Sequence, residues 1–272
     1  MFYNDKFIYI MVTLMKIAIT GKGGAGKTTF SATLSWILSN NYKVFAIDAD
    51  PDMNLGTNLG INKEVTPLSR MKNLIKERTG AEPGAYGQIF KINPKISDLP
   101  DKLSIKHPQR ENLRLLTMGT IEEGGEGCVC PASVMLKALL RHMLLKRNEI
   151  IILDMEAGIE HLGRGTAESV DLMIIVIEPS LKSLESAKRI KKLAEDIGIE
   201  KIEAILNKIS NSKEKDFIKG ELKKMGLSCI GTIPFDDTII KADIEGKPLA
   251  FYKSSKAFRS IERMAEKILT LD

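Results

Sequence analysis

The chain has 272 residues, 43% of them hydrophobic and 28% charged, enough apolar material to bury a substantial core and too much for a disordered polymer. Its net charge of +5 is small and carries no block of like charges, so neither nucleic acid nor a membrane is expected as a partner. Three cysteines without disulfide-like spacing point to a reducing compartment, the cytoplasm.

Residues 1–14, "MFYNDKFIYIMVTL", contain only a short apolar run and an early acid, Asp5. They fit neither a spanning helix nor a signal peptide and read as an N-terminal extension, with a start-site artefact favoured over a tail. Met15 opens "MKIAIT", a good first strand, and the domain is expected over residues 15–272.

From there unbroken apolar runs recur at Ile17–Thr20, Val44–Ile47, Leu113–Met118, Ile150–Leu153, Leu172–Ile177 and Ile202–Leu206. Such runs are expected of strands covered on both faces in a parallel sheet. Phe30, Leu34, Ile37 and Leu38 keep helical spacing after the first run, and Leu181, Leu184, Ala187 and Ile190 do so after the fifth. Strands alternating with helices predict a single α/β domain whose ligands sit at the carboxyl ends of the strands. Residues 61–112 break the pattern with Pro67, Pro83, Pro94, Pro100 and Pro108, apart from a helix expected around Ser69–Arg78. They read as an elaborated connection rather than a second domain.

The segment "GKGGAGKTT", Gly21–Thr29, follows the first strand and opens a helix. Gly21, Gly26, Lys27 and Thr28 satisfy the phosphate-loop spacing, with Gly23, Gly24 and Ala25 between. Glycines let backbone N–H groups converge on phosphate oxygens, and the helix N-terminus adds its positive dipole. Lys27 is expected at the β- and γ-phosphates and the Thr28 hydroxyl in a Mg²⁺ shell. The expected class is therefore a P-loop NTPase, with a mostly parallel sheet and helices on both faces.

Two acidic stretches extend this site. "AIDADPDMN" sets Asp48 and Asp50 at the end of the second strand, where a carboxylate can orient water or the metal's water shell. Asp48 and Asp52 are equally suited to capping a helix. "IIILDMEAGIEHLG" ends a strand at Asp154, an expected Mg²⁺ position, and the Gly158 region resembles a switch that senses the γ-phosphate. A guanine pocket would need an acid in "ILNKIS", where Asn207 and Lys208 are followed two residues on by Ser210, so ATP is favoured over GTP.

With Lys22 ahead of Lys27, K-G-G-x-G-K-T-T resembles the deviant phosphate-loop family of the nitrogenase iron protein and the MinD/ParA positioning ATPases. That resemblance implies a homodimer in which Lys22 of each subunit touches the other's nucleotide. It also implies an adenine pocket lined by Asn207, Lys208 and the "IPFD" segment, including Pro234 and Asp236.

"GGEGCVCPAS" places Cys128 and Cys130 one residue apart, ahead of a helix for which Pro131 suits the first position. Thiolates take soft ions such as Ni²⁺ or Zn²⁺, and a closed site wants four ligands. His107, His142 and His161 are better read as solvated or structural than as ligands, and Cys229 as a core residue. A two-fold axis would bring two pairs together as a four-thiolate site.

Taken with "DADPD" and "LDMEAGIEHLGRGT", C-x-C is similar to the CooC-type branch, accessory ATPases for nickel insertion into carbon monoxide dehydrogenase. The resemblance implies that carbon monoxide dehydrogenase, or the related acetyl-CoA synthase, is the client. It implies catalytic roles for Lys22, Lys27, Asp50 and Asp154, with Thr28, Asp50 and Asp154 around Mg²⁺. A positioning ATPase or an iron–sulfur carrier is the alternative. The terminal "KAFRSIERMAEKILTLD" spaces Phe258, Ile261, Met264, Ala265 and Ile268 as a packing helix rather than a membrane anchor.

Overall fold

The structure is a computed structural model that describes residues 15–63, 65–83, 88–119, 131–156, 162 and 164–271. In chain order the elements begin with β1 (Lys16–Gly21), α1 (Lys27–Leu38), β2 (Val44–Ala49) and α2 (Leu55–Leu59). The connection supplies α3 (Lys72–Thr79), α4 (Leu99–Leu103), β3 (Ile105–His107) and β4 (Arg110–Thr117). Then come α5 (Pro131–Lys146), β5 (Ile150–Met155), α6 (Arg164–Ala167), β6 (Leu172–Ile177) and α7 (Leu181–Asp196). The chain ends with β7 (Ile202–Ile209), α8 (Ser212–Lys224), β8 (Ser228–Pro234), α9 (Asp237–Ile244) and α10 (Lys256–Leu269).

These strands form one sheet in the order β3-β4-β2-β5-β1-β6-β7-β8, parallel except for the β3–β4 pair. Every residue of β1, β2, β5 and β6 is buried, because helices cover both faces of the sheet. Successive side chains point to opposite faces, which splits the core into two layers. Ala18, Phe45, Ile47, Leu153 and Ile175 face α5 and α7, and Ile17, Ile19, Ala46, Ile152 and Ile174 face α1 and α10. The fold is thus the three-layer α/β domain expected from the sequence. No helix among the described residues is long and apolar enough to cross a membrane.

All six apolar runs are strands, and "SCIGTIP" is β8. The expected helix at Ser69–Arg78 is shifted. A 3₁₀ turn at Leu68–Arg70 comes first, and the helix begins at Lys72 because Met71 takes φ −82° and ψ 67°. The Ser69 N–H is drawn away to Met118 O at 3.0 Å. Strand β3 was not legible: it is three residues at the sheet edge, irregular between Lys106 and His107. Leu68, Ile75, Ile96 and Leu99 join the same core as α5, so this stretch is packed onto the sheet.

His107 is structural and buried. Its Nε2 lies 2.7 Å from Leu59 O, and its Nδ1 accepts from the Gln109 N–H at 3.0 Å. Burial holds its pKa below the usual value. Cys229 is half-buried beside the core, and its Sγ donates to Gly231 O. Helix α10 buries Phe258, Ile261, Met264, Ala265 and Ile268 against β8 and α1, as expected of a packing helix.

The amino-terminal rim of the sheet is tied by polar bonds. The Arg147 guanidinium donates to Asp101 and Glu149, and the buried Lys16 amine donates to Arg147 O and Glu149 O. Four residues therefore tie α4 and β1 to the connection between α5 and β5 in a fixed knot.

Candidate functional site

Parallel topology carries β1, β2, β5, β6 and β7 to one common rim, where each predicted site residue on the described chain is found. Gly21 ends β1 opposite Val176 of β6. It takes φ +147°, and a Cβ there would lie 2.4 Å from Val176 O, so only glycine lets the loop leave the strand this way. Gly26 takes φ +96° at the N-cap of α1, and its missing Cβ leaves the space filled by the Asn207 amide, 2.2 Å from where that atom would be. The loop closes with Ala25 N–H donating to Lys22 O at 3.1 Å, and Lys27 opens α1 with 6% exposure. These residues form an anion cradle at the start of a twelve-residue helix.

The carboxyl end of β7 fastens this loop from behind. Asn207 Nδ2 donates to Ala25 O at 2.7 Å, its Oδ1 accepts the Lys208 N–H at 2.9 Å, and Lys208 Nζ donates to Gly24 O at 2.6 Å. Lys208 adopts φ +60°, a region that favours glycine, so this contact is maintained against local backbone strain.

Asp154 ends β5 and is fully buried. Its Oδ1 accepts from Ser31 Oγ at 2.8 Å, Oδ2 has no partner, and the nearby Thr28 hydroxyl favours the charged carboxylate. Burial pushes its pKa up to about 6, against the pull of these hydroxyls and of Lys27. Asp48 lies beside it in register. Burial and the neighbouring Asp154 charge push Asp48 up to about 7. Its carboxylate accepts the Leu55 N–H at 3.0 Å and the Asp50 N–H at 3.3 Å, so Asp48 shapes the loop after β2. Asp50 is half-exposed on that loop, with Oδ1 bonded to the Asp52 N–H at 3.0 Å.

The residues present fit a Mg²⁺–nucleotide. A buried carboxylate oxygen without a partner, next to the Thr28 hydroxyl and the cradle, is the donor set that a hard cation takes directly or through its water. A cleft of about 580 Å³ runs from Gly24, Gly26 and Thr29 past Asn207 and Lys208 to Pro234 and Asp236. One wall is polar, with Asn54, Thr57 and Asn58 around α2, and the other apolar, with Phe235, Ile239 and Leu249. That size and two-sided lining suit a nucleoside. Asp236 lies in the lining, yet its carboxylate is engaged as a tie between helices. It accepts from Thr238 N–H, Ala257 N–H and Ser255 Oγ at 2.9, 3.0 and 2.8 Å. Against partial burial, those donors hold it well below the usual carboxylate range.

Cys128 and Cys130 and the switch region around Gly158 lie outside the described residues. The chain enters α5 at Pro131, and α5 leads from the carboxyl end of β4 to the amino end of β5, so its first turn lies at the phosphate-loop rim. Ser31, Glu178 and the polar wall around α2 were missed by sequence reasoning. Ser31 carried one signal, a small hydroxyl one helical turn after Lys27.

Residues 16–249 match the family described as the CobQ/CobB/MinD/ParA nucleotide binding domain. The chain belongs to this family. Among its relatives, an uncharacterised ATP-binding protein of Methanocaldococcus jannaschii is 54% identical over 94% of this chain and 98% of its own length. The carbon monoxide dehydrogenase accessory protein CooC of Rhodospirillum rubrum is 45% identical over 90% of this chain and 92% of its own. The fold matches MinD in the MinC:MinD complex of Aquifex aeolicus with a TM-score of 0.70, at 21% identity and 95% and 96% coverage. The family and the phosphate loop make the chain a P-loop ATPase of the MinD/ParA and CooC kind.

Substituting Lys27→Ala is expected to lower ATP turnover by about a thousandfold, since phosphate charge stabilisation is most of what such a site supplies. Phosphate release measured at saturating Mg–ATP checks this, and turnover within tenfold of wild type would remove Lys27 from the chemistry.

Proposed function

We propose that this chain is an ATP-driven accessory protein that assists nickel delivery to carbon monoxide dehydrogenase or the related acetyl-CoA synthase. The observation that carries the reading is the CooC relative, which is 45% identical along nearly the whole of both chains. The C-x-C segment and the complete phosphate loop support it.

In this reading two chains face each other across their nucleotides, and Lys22 of each reaches the other's phosphates. Mg²⁺, when bound, neutralises charge on the β- and γ-phosphates. Lys27 binds the same phosphates, Thr28 and Asp154 hold the cation's shell, and Asp50 orients the attacking water. Asn207, Lys208 and Pro234 line the base end of the cleft. The paired Cys128 and Cys130 of two chains hold a soft divalent ion, nickel or zinc, as cargo. Cys130 would stand at the start of α5, where the helix dipole favours the thiolate. Closure alters the spacing of the thiolates, which links ATP to metal affinity.

The test measures metal content and oligomeric state together, with ATP, with ADP and without nucleotide. About one Ni²⁺ or Zn²⁺ per pair of chains is expected. Cys128→Ser with Cys130→Ser is expected to reduce retention more than tenfold while the secondary structure is unchanged. Stoichiometric metal in the double variant overturns the cargo site. A positioning role of the MinD kind is the rival, and vesicle pelleting separates the two. Against it, the apolar face of α10 is already covered by β8 and α1.

A further inference from the structure

Strands β1, β6 and β7 are neighbours, and their registers place Gly21 beside Val176 and Ile177 beside Leu206. The residues at or just beyond these strand ends are therefore brought into a row: Lys22 after β1, Glu178 after β6 and Lys208 in the last residues of β7. Lys22 Nζ lies 2.8 Å from Glu178 Oε1, and Lys208 Nζ lies 3.5 Å from Glu178 Oε2. Glu178 is the more enclosed partner, with 18% of its side chain exposed against 33% for Lys22.

The carboxylate is itself held in place. Pro179 restricts Glu178 to an extended backbone. The Glu178 N–H donates to Ser183 Oγ at 3.1 Å, and Ser180, the N-cap of α7, donates through its N–H to Glu178 O at 2.7 Å. Lys208, itself bonded to Gly24 O, braces the second oxygen. Glu178 is thus a fixed acceptor beside the phosphate loop, and the lysine it holds is the one that distinguishes this loop from an ordinary one.

We propose that Glu178 is a latch that holds Lys22 within its own subunit and so sets the ATP threshold for closure of the two-fold pair. The proposal rests on the reading that Lys22 crosses to the partner's nucleotide, because an ammonium paired with Glu178 must leave it to do so. Triphosphate is the more highly charged competitor and draws the lysine away. A diphosphate, lacking the γ group, competes less well. The latch therefore biases the chain toward the open state until ATP is bound on the facing subunit. A partly exposed ion pair of this geometry opposes release by about threefold to fivefold, and two latches open per dimer, so removing both is expected to tighten dimerisation by about tenfold to twenty-five-fold.

The test uses the full chain and Glu178→Gln, with Glu178→Asp as a second variant that keeps the charge but shortens the reach. Competitive lysine acylation read by mass spectrometry, on nucleotide-free protein, reports the pair. Sedimentation with a non-hydrolysable ATP analogue and Mg²⁺ reports closure. Expected in Glu178→Gln are Lys22 acylation at least threefold faster and dimerisation at least tenfold tighter, with Glu178→Asp between it and wild type. Equal Lys22 reactivity in wild type and both variants overturns the latch whatever the oligomeric state. Faster acylation with unchanged or weaker dimerisation overturns its control of closure. If wild type and variants all stay monomeric with the analogue while acylation still rises, the two-fold reading itself has failed and takes the threshold with it.

Discussion

Asp154→Asn is expected to abolish most ATP turnover, by about a hundredfold to a thousandfold, while flattening the pH dependence of the nucleotide-free fold. The first effect follows from the orphaned Oδ2 beside the Thr28 hydroxyl, the position from which a carboxylate would order the cation's shell. The second follows from burial. The folded-state pKa values of Asp154 and Asp48 are raised to about 6 and about 7, against an ordinary 3.8. A carboxyl group raised in this way favours the folded state most when protonated. Its contribution is fully present below pH 4 and is lost as pH climbs through the raised values, between about pH 4 and pH 7. Wild type without nucleotide should therefore melt at progressively lower temperature from pH 5 to pH 8. For Asp154 alone the loss is on the order of 2 kcal/mol. In Asp154→Asn part of that slope disappears, because the amide does not titrate and Asp48 no longer faces a second charge, while the burial of Asp48 keeps the remainder. Melting curves at several pH values, with phosphate release at saturating Mg–ATP, check both halves. An unchanged slope would place the pH dependence elsewhere.

Gly21→Ala is expected to cost about 3 kcal/mol or more of stability, the largest effect of any single methyl group on the phosphate loop. Two penalties coincide at this residue. The backbone takes φ +147°, and the added Cβ would lie 2.4 Å from a backbone oxygen, Val176 O, which cannot rotate aside as a side chain can. Since β1 and β6 are central strands, relief must displace one of them, and with it the loop. Denaturant unfolding should show a markedly lower midpoint, and residual folded protein should bind Mg–ADP at least tenfold more weakly. Gly23→Ala is the internal control, because nothing lies within 4 Å of its Cβ position. If the two variants are equally stable, the steric argument fails.

The contrast between what was and was not legible in the sequence has a physical origin. The central strands announced themselves because burial on both faces demands unbroken apolar runs, and the phosphate loop did so because its glycines and lysine are local requirements. Residues 61–112 resisted. Strand β3 has only three residues, and its pairing at the sheet edge comes from tertiary contact rather than from its own pattern. Ser31 and Glu178 resisted for another reason. Ser31 meets Asp154 across 123 residues and Lys22 meets Glu178 across 156, so their roles exist only once the strand order puts β5 and β6 on either side of β1. His107 was expected to be solvated or structural, and the structure decides for the second because Leu59 O and Gln109 N–H occupy both ring nitrogens.

The polar knot at Arg147 bears on how force could travel through this molecule. It fixes one end of a sixteen-residue rod whose far end leads back toward the thiols. Such a rod is about 24 Å long, so pivoting it by about 5° about that fulcrum sweeps its opposite tip through about 2 Å. A lever of this length converts a barely visible rotation of the helix into a displacement on the scale of a chemical bond at its opposite tip.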